Sequence, residues 1–241
     1  MAASADAAAA RSSVLPKGFS RLDAIAPSVL QEIRYYGRHN FIGRRINGYR
    51  APECWLTTPA ARAVAKVQAR VRRLGYTLKA YDCYRPRQAV AEFFAWSKLP
   101  DDNRMQAEFY PRIAKDQLFP LGYIAERSGH SRGSTIDLTL VPRGKGVSPR
   151  WRPGDRLVSC TAPVSRRFRD TSIDMGTGFD CFDPLANTAN PGISPRQRAN
   201  REILVSEMNR AGFTNLPEEW WHYTLRNEPF PDTYFDAPIR R

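Results

Sequence analysis

The sequence predicts an α+β fold, a single domain in which helices flank a central antiparallel sheet. Strand-like and helix-like segments follow one another at uneven spacing, without βαβα alternation and without an internal repeat. The 12 Phe, 10 Tyr and 5 Trp indicate a folded globule, while 19 Pro and 15 Gly indicate many loops rather than a helical bundle. We therefore expect one domain over residues 15–241, preceded by a disordered Ala/Ser tail at residues 1–14.

The first half of the chain carries the clearest periodic pattern. Thr58-Pro59 places a proline at a helix start, and Val64, Val67, Val71 and Leu74 then recur at helical spacing. A strand follows and ends before an Arg-Pro pair, since proline restricts the residue that precedes it. The predicted elements are a helix at residues 58–74, a strand at 76–84, a helix at 88–98 and a helix at 102–115.

The second half contains one alternating stretch and one capped helix. Residues 135–141 alternate apolar and polar side chains, which predicts a half-buried strand with Asp137 on its polar face. Ser194 and Gln197 form a capping-box pattern that starts a helix, and Gly212 follows its end. The predicted elements are a strand at 135–141, a loop at 142–153, a helix at 195–211 and a closing strand at 220–226.

The chain is strongly basic, with 37 Lys plus Arg against 24 Asp plus Glu and a net charge of +13. Such a charge suits nucleic acid, an anionic cell wall or an acidic membrane surface. The densest basic stretch, residues 143–169, also holds prolines and glycines and is interpreted as a solvated loop face. No nucleic-acid motif and no membrane-spanning run occurs, so we expect neither nucleic-acid binding nor a membrane span. Contact with anionic cell-wall polymers stays open.

The cysteine pattern indicates an oxidising compartment. Cys54, Cys83, Cys160 and Cys181 include no CxxC pair, which argues against a thiolate zinc site of the finger type. An even, scattered set favours two disulfides over free buried thiols, and their connectivity stays open. The Ala-rich start resembles the tail left after signal-peptide cleavage. We therefore expect a periplasmic or secreted protein.

Histidines are scarce, and one of the three lies beside a carboxylate. A catalytic zinc site needs about three protein ligands and one open position, and imidazole is the commonest protein ligand. Gly129 and Gly133 allow a turn that brings His130 next to the strand bearing Asp137. Taken alone, this segment fits a surface-loop histidine and a strand-end aspartate equally well.

A second motif joins a carboxylate and an imidazole at residues 219–222. In an ideal strand Glu219 and His222 face opposite sides, so a shared site requires a bend, which Pro217 makes plausible. The alternative is a core pair of Trp220 and Trp221 with an interior hydrogen-bonding histidine.

A third motif holds an arginine at a strand end. Pro86 restricts Arg85, whose guanidinium then suits a carboxylate or a developing oxyanion. Taken alone, an arginine at such a position is usually a structural salt bridge.

Together the motifs resemble the zinc D-alanyl-D-alanine dipeptidases of the VanX type, within the peptidoglycan DD- and LD-peptidases. The family carries an S-x-H-x-x-G-x-x-x-D segment, a downstream E-W-W-H and an upstream Y-R-P turn. Departures are mild, and His39 is not a residue that the family requires. The matching segments are residues 34–36, 40–43, 84–86, 128–137, 174–180 and 219–222, so the resemblance covers about residues 20–226.

The resemblance implies one Zn²⁺ ion per chain and a dipeptide substrate, D-Ala-D-Ala. A close alternative to this dipeptidase function is a carboxypeptidase or endopeptidase of peptidoglycan stem peptides. A distant alternative is a non-catalytic wall-binding module with structural zinc. Glu219 would be the general base, and Arg85 would stabilise the transition state. The implied metal ligands are His130, Asp137 and His222, and the residues implied to hold the amino end of the dipeptide are Tyr35, Ser128 and Asp174. Tyr36 is the alternative to Tyr35 for this role.

Overall fold

The computed structural model describes residues 15–241, and the tail expected at residues 1–14 lies outside the described residues. Helices and strands are mixed in one α+β domain, as the sequence predicts. The strands are β1 (Phe19–Arg21), β2 (Leu30–Gln31), β3 (Trp55–Thr57), β4 (Tyr76–Asp82), β5 (Thr135–Pro142), β6 (Phe213–Asn215) and β7 (His222–Leu225). The helices are α1 (Leu22–Ile25), α2 (Thr58–Arg73), α3 (Arg87–Ser97), α4 (Gln106–Phe109) and α5 (Pro195–Arg210).

The central sheet has five strands in the order β2-β4-β5-β7-β6, and β1 pairs separately with β3. Its pairings are antiparallel except at one edge, where the two-residue β2 runs parallel to β4. The sheet is therefore mixed rather than purely antiparallel. A strand of two residues leaves no alternation for a sequence pattern to detect.

Helix α2 packs against the sheet through Val64, Val67 and Val71, whose side chains are fully buried. Gln68 lies on the same face, and its amide accepts a hydrogen bond from Leu78 N at 2.8 Å, which satisfies a polar group in the core. Leu74, which the pattern assigns to the apolar stripe, lies past the last helical turn and is 53% exposed.

The helix predicted at residues 102–115 is wrong over most of its length. Only α4 and a 3₁₀ turn at Lys115–Gln117 form there. Pro111 supplies no amide hydrogen and disfavours helical geometry at Tyr110, where the backbone opens to φ −139°.

Strand β5 is buried on both faces, so the expected half-buried strand is wrong as well. The segment around Ser172 covers the polar face, where Ser172 Oγ lies 2.6 Å from Thr139 Oγ1, within hydrogen-bond distance. The next residue, Ile173, donates its amide to Leu140 O at 3.0 Å. The polar side chains of β5 therefore face a buried interior instead of bulk water.

Two disulfides join the four cysteines, in the pairs Cys54–Cys83 and Cys160–Cys181. The first pair joins the start of β3 to the end of β4, and the second joins two loops. In the described part of the chain, no helix is both long and apolar enough to cross a membrane.

Candidate active site

The three implied ligands meet at one end of the central sheet. Strand pairing sets His222 of β7 directly opposite Asp137 of β5. His130 approaches from the 3₁₀ turn Gly129–Arg132 just before β5. The three facing atoms form a small triangle: His130 Nε2 lies 3.2 Å from His222 Nδ1 and 3.3 Å from Asp137 Oδ1, and His222 Nδ1 lies 3.1 Å from Asp137 Oδ1.

A tight turn holds His130 in this position. Ser128 caps the turn by accepting a hydrogen bond from His130 N at 3.3 Å. Gly133 ends it at φ +80°, and a Cβ atom there would lie 2.2 Å from the ring of Phe19. Only glycine fits this position, for backbone and packing reasons together. His130 itself is 1% exposed, which excludes a surface-loop histidine.

Hydrogen bonding orients the His130 ring. Its Nδ1 lies 2.7 Å from Cys83 O, and because a carbonyl can only accept, Nδ1 carries the proton and donates it. The lone pair of Nε2 is then directed at Asp137 and His222. A second contact, 3.4 Å from Nδ1 to Asp82 Oδ2, supports the same orientation.

The triangle fits a zinc ion. Ligand atoms about 2.0–2.1 Å from a tetrahedral zinc are about 3.3 Å apart, which matches the three separations. Asp137 Oδ1 is buried without a hydrogen-bond partner, an orphaned charge that a cation would satisfy. Burial by itself raises the pKa of Asp137, but the imidazoles of His130 and His222 outweigh burial and hold this pKa well below its usual range. The charged carboxylate that a metal requires is therefore favoured.

The chain bends before β7, as the 219–222 motif requires. Glu219 N donates to Leu216 O at 3.1 Å and His222 N donates to Glu219 O at 3.2 Å, which makes consecutive turns. The turns bring Glu219 Oε2 to 3.4 Å from His222 Nδ1. Asn215 Nδ2 secures the bend by donating to the carbonyls of both residues at 3.0 Å.

Burial raises the pKa of Glu219 to about 7, against the lowering effect of the nearby His222. Both tryptophans of the motif are core residues, as the alternative interpretation held, yet the side chain of His222 stays 16% exposed and faces the ligand triangle. The two interpretations of this motif therefore describe different residues of the same segment.

Arg85 is both a structural ion pair and a member of the site. Its Nε donates to Asp82 Oδ2 at 2.9 Å, and its Nη2 lies 3.7 Å from Asp137 Oδ2. Tyr49 donates its hydroxyl to the other oxygen of Asp82 at 2.6 Å, so Asp82 is a buried anchor that fixes the guanidinium. Sequence reasoning assigned no role to Asp82, although it lies within the same strand-end motif.

The three residues predicted to hold the amino end do not all come together. Ser128 Oγ lies 3.5 Å from Arg85 Nη1, and the ring of Tyr35 stacks 5.0 Å from the same guanidinium. Asp174, in contrast, is bound elsewhere: its carboxylate accepts from Arg167 Nη2 at 2.8 Å, Gln197 Nε2 at 2.9 Å and the Gly176 amide at 3.0 Å. Asp174 therefore organises the loop in front of α5.

Asp180, six residues further on, lies beside Tyr35. Tyr35 donates its hydroxyl to Asp180 Oδ2 at 2.8 Å, and Asp180 is 4% exposed. Burial, and then the charges of Asp137 and Glu219, raise the pKa of Asp180 well above its usual range. The sequence signal was its place at the end of segment 174–180, which resembles the family, and beside Cys181.

Comparison with known proteins finds a matching family model and several similar chains. The family model Peptidase M15, described as D-Ala-D-Ala dipeptidase, matches residues 16–148 and 163–240. A D-alanyl-D-alanine dipeptidase of Streptomyces coelicolor is 37% identical over 92% of this chain and 98% of its own length. Proteins of that description are 36% identical in Enterococcus faecalis, over 93% and 100% of the two chains, and 29% identical in Escherichia coli, over 85% and 82%.

Proposed function

Because the chain belongs to the Peptidase M15 family of D-Ala-D-Ala dipeptidases, we propose that it hydrolyses D-Ala-D-Ala to two molecules of D-alanine. One observation carries the proposal: Glu219 lies 3.4 Å from a ligand triangle whose members are 3.1–3.3 Å apart. A structural zinc centre is closed by four protein ligands, whereas the described residues supply three here, with the Glu219 carboxylate beside them. The presence of Glu219 therefore argues against a non-catalytic wall-binding module.

His130, Asp137 and His222 are proposed to hold Zn²⁺ through one nitrogen or oxygen atom each. When bound, the ion supplies Lewis acidity, which lowers the pKa of a coordinated water to about 7 and polarises the scissile carbonyl. Three protein ligands leave one position open, which is the arrangement of catalytic rather than structural zinc sites.

Glu219 is proposed to accept a proton from the attacking water and to pass it to the leaving amine. A pKa of about 7 suits both halves of this transfer, since the group is then neither too weak a base nor too weak an acid near neutral pH. The bend at residues 216–222 keeps the carboxylate near the ligands while the main-chain bonds to Asn215 hold its position.

Arg85 is proposed to stabilise the negative charge that develops on the carbonyl oxygen. Its side chain is held by Asp82 and flanked by the rings of Tyr35 and Phe93, at 5.0 and 5.1 Å from its central carbon. A fixed guanidinium that is only 12% exposed needs little reorganisation as the charge appears, which is the physical basis of such catalysis.

Asp180 is proposed to bind the free ammonium group of the dipeptide, with Tyr35 and Ser128 beside it. Within the described residues no Lys, Arg or His lies at ion-pair distance from Asp180, so this buried carboxylate has no cationic partner of its own. A substrate ammonium would supply that charge. An acylated amino end, as in a peptidoglycan stem, would not, and this supports the free dipeptide over the polymer as substrate.

The test is hydrolysis by zinc-loaded protein of D-Ala-D-Ala, L-Ala-L-Ala and N-acetyl-D-Ala-D-Ala, each with and without chelator. We expect alanine release from the free D,D-dipeptide alone, and its loss on chelation. Faster cleavage of the acetylated peptide would contradict the proposal and indicate a carboxypeptidase. Hydrolysis that survives complete metal removal would contradict the metal mechanism.

We also propose a periplasmic or secreted location, and contact there with anionic cell-wall polymers. The two disulfides support an oxidising compartment, because such bonds are rarely kept in the reducing cytosol. Cell fractionation with thiol labelling tests the location. Finding the protein in the cytosol with four free thiols would contradict it.

A further inference from the structure

Residues 149–162 lie outside both ranges that the family model matches, yet they are firmly attached to the domain. Cys160 is joined to Cys181 by a disulfide, and its amide donates to Glu108 O at 2.8 Å. At the other end, Trp151 stacks on the ring of His39, with centroids 5.4 Å apart and planes 9° apart. This segment is therefore attached to the domain at both ends, although the family model does not match it.

The segment and residues 32–45 enclose a groove of about 1310 Å³, which we call the arginine groove. Glu32 is the one acidic residue that lines it, and its carboxylate already binds Arg34 at 2.7 Å and Lys79 at 3.2 Å. None of the proposed metal ligands or catalytic residues lines the groove. Besides Arg34, the arginines lining it are Arg38, Arg44, Arg45, Arg104, Arg150 and Arg152.

Four of these arginines have no carboxylate partner. Arg44 pairs with Glu92 and Asp102, and Arg104 pairs with Asp102 as well. Across residues 15–241, in contrast, no ion pair involves the four exposed arginines that remain. Like charges held around one concave surface repel each other unless an anion lies between them. The four unpaired residues are Arg38, Arg45, Arg150 and Arg152.

Each aromatic ring of the groove is already in contact with another side chain of the protein. Trp151 lies against His39, and the guanidinium of Arg45 covers the ring of Tyr36 at 4.3 Å. Phe168 packs on His39 at 4.1 Å. Proteins that bind single-stranded nucleic acid stack bases on free aromatic faces, and each of these rings already has one face in contact with another group. The arginines are therefore the main binding groups of the groove, and their chemistry suits phosphates.

We propose that the arginine groove binds an anionic phosphodiester polymer of the cell envelope, of the polyol-phosphate type. Guanidinium groups match phosphate oxygens in planar, two-bond geometry, and four of them along an open groove suit a repeating chain better than a single ion. The choice of an envelope polymer rests on the compartment and substrate of the proposed function.

The experiment measures binding of purified poly(glycerol phosphate) to the zinc-loaded full chain by calorimetry at several salt concentrations. The groove variant is Arg38→Gln/Arg150→Gln/Arg152→Gln, with Arg150→Gln/Arg152→Gln as a milder form. The matched control is Arg62→Gln/Arg72→Gln/Arg73→Gln, which removes three exposed arginines from α2 and the same total charge. Single-stranded DNA of equal phosphate number is the competing ligand. Dipeptide hydrolysis and melting temperature are measured for every variant.

We expect the groove variant to bind at least tenfold more weakly, and the slope of log affinity against log salt to fall by about 2–3. The control should stay within about threefold, and all variants should retain dipeptide hydrolysis. Equal losses in groove variant and control, no binding by the parent, or tighter binding of DNA would each overturn the proposal. A parent that binds the polymer but does not cleave D-Ala-D-Ala would instead contradict the proposed function alone.

Discussion

Replacing Asp180 by Asn removes a charge from the proposed ammonium site while keeping the shape of the side chain. The amide oxygen of Asn can still accept the Tyr35 hydroxyl hydrogen bond, which is 2.8 Å long in the parent. What disappears is the charge at a position that is 4% exposed. The substitution therefore isolates the electrostatic part of substrate recognition.

The magnitude follows from burial. Truncating one partner of a buried, hydrogen-bonded charge pair costs about 2–5 kcal/mol, and each 1.4 kcal/mol is a factor of ten. Asp180 is almost fully desolvated, but its hydrogen bond to Tyr35 survives in the Asn variant. We therefore expect a loss of binding free energy near the middle of that range. The value of kcat/KM for D-Ala-D-Ala should fall about 10²- to 10³-fold.

Although Asp180→Asn should lower kcat/KM, it should raise the stability of the folded protein. The pKa of Asp180 is raised by burial, so the folded state disfavours the charged form and loses stability as pH rises above the unfolded value of about 3.9. Asn carries no charge, so we expect the variant to melt at a higher temperature than the parent at pH 7. The difference should vanish below about pH 4, where the parent carboxyl is protonated in both states.

The matched control is Asp174→Asn, the same substitution six residues earlier. Its carboxylate binds Arg167 and Gln197, so we expect a lower melting temperature and a kcat/KM within about fivefold of the parent. Both variants are assayed by alanine release and by thermal unfolding. Normal activity of Asp180→Asn together with inactivity of Asp174→Asn would refute the assignment.

Four further predictions concern the proposed catalytic residues and the buried charges. Glu219→Gln should keep its zinc, measured by plasma mass spectrometry, and lose about 10²- to 10⁴-fold in kcat; metal loss with normal activity per bound zinc would make Glu219 a ligand instead. Arg85→Ala should lower kcat about 10²- to 10³-fold with zinc retained, and unchanged turnover would exclude its role. Chelation of the parent should lower the melting temperature, but His130→Ala should be insensitive to added zinc. Burial opposes ionisation of Glu32, but Arg34 and Lys79 lower its pKa from 4.5 to about 2, so the free energy of unfolding should fall by about 3 kcal/mol between pH 4.5 and 2. A Glu32→Gln variant should lack this component, as measured by denaturant unfolding at each pH.

The sequence alone determined the chemistry of the site and most of its regular elements. Helices α2, α3 and α5 follow from local signals, namely a proline in the first turn, apolar spacing and a capping box. The two short motifs identify the ligand types because the chain has only three histidines, and two of them lie in motifs that also contain a carboxylate. Such signals act within a few residues, so they can be read without knowing the fold.

Tertiary structure decided which side chains meet. Strand register places Asp137 opposite His222, and a consecutive pair of turns puts Glu219 on the same side as His222. Asp174 and Asp180 differ in their contacts. Asp174 binds Arg167, which is 7 residues away, whereas Asp180 binds Tyr35, which is 145 residues away in sequence. The arginine groove joins residues 32–45 to residues 148–153. Pairing, burial and counter-charge are non-local, so residue type and spacing alone do not determine them.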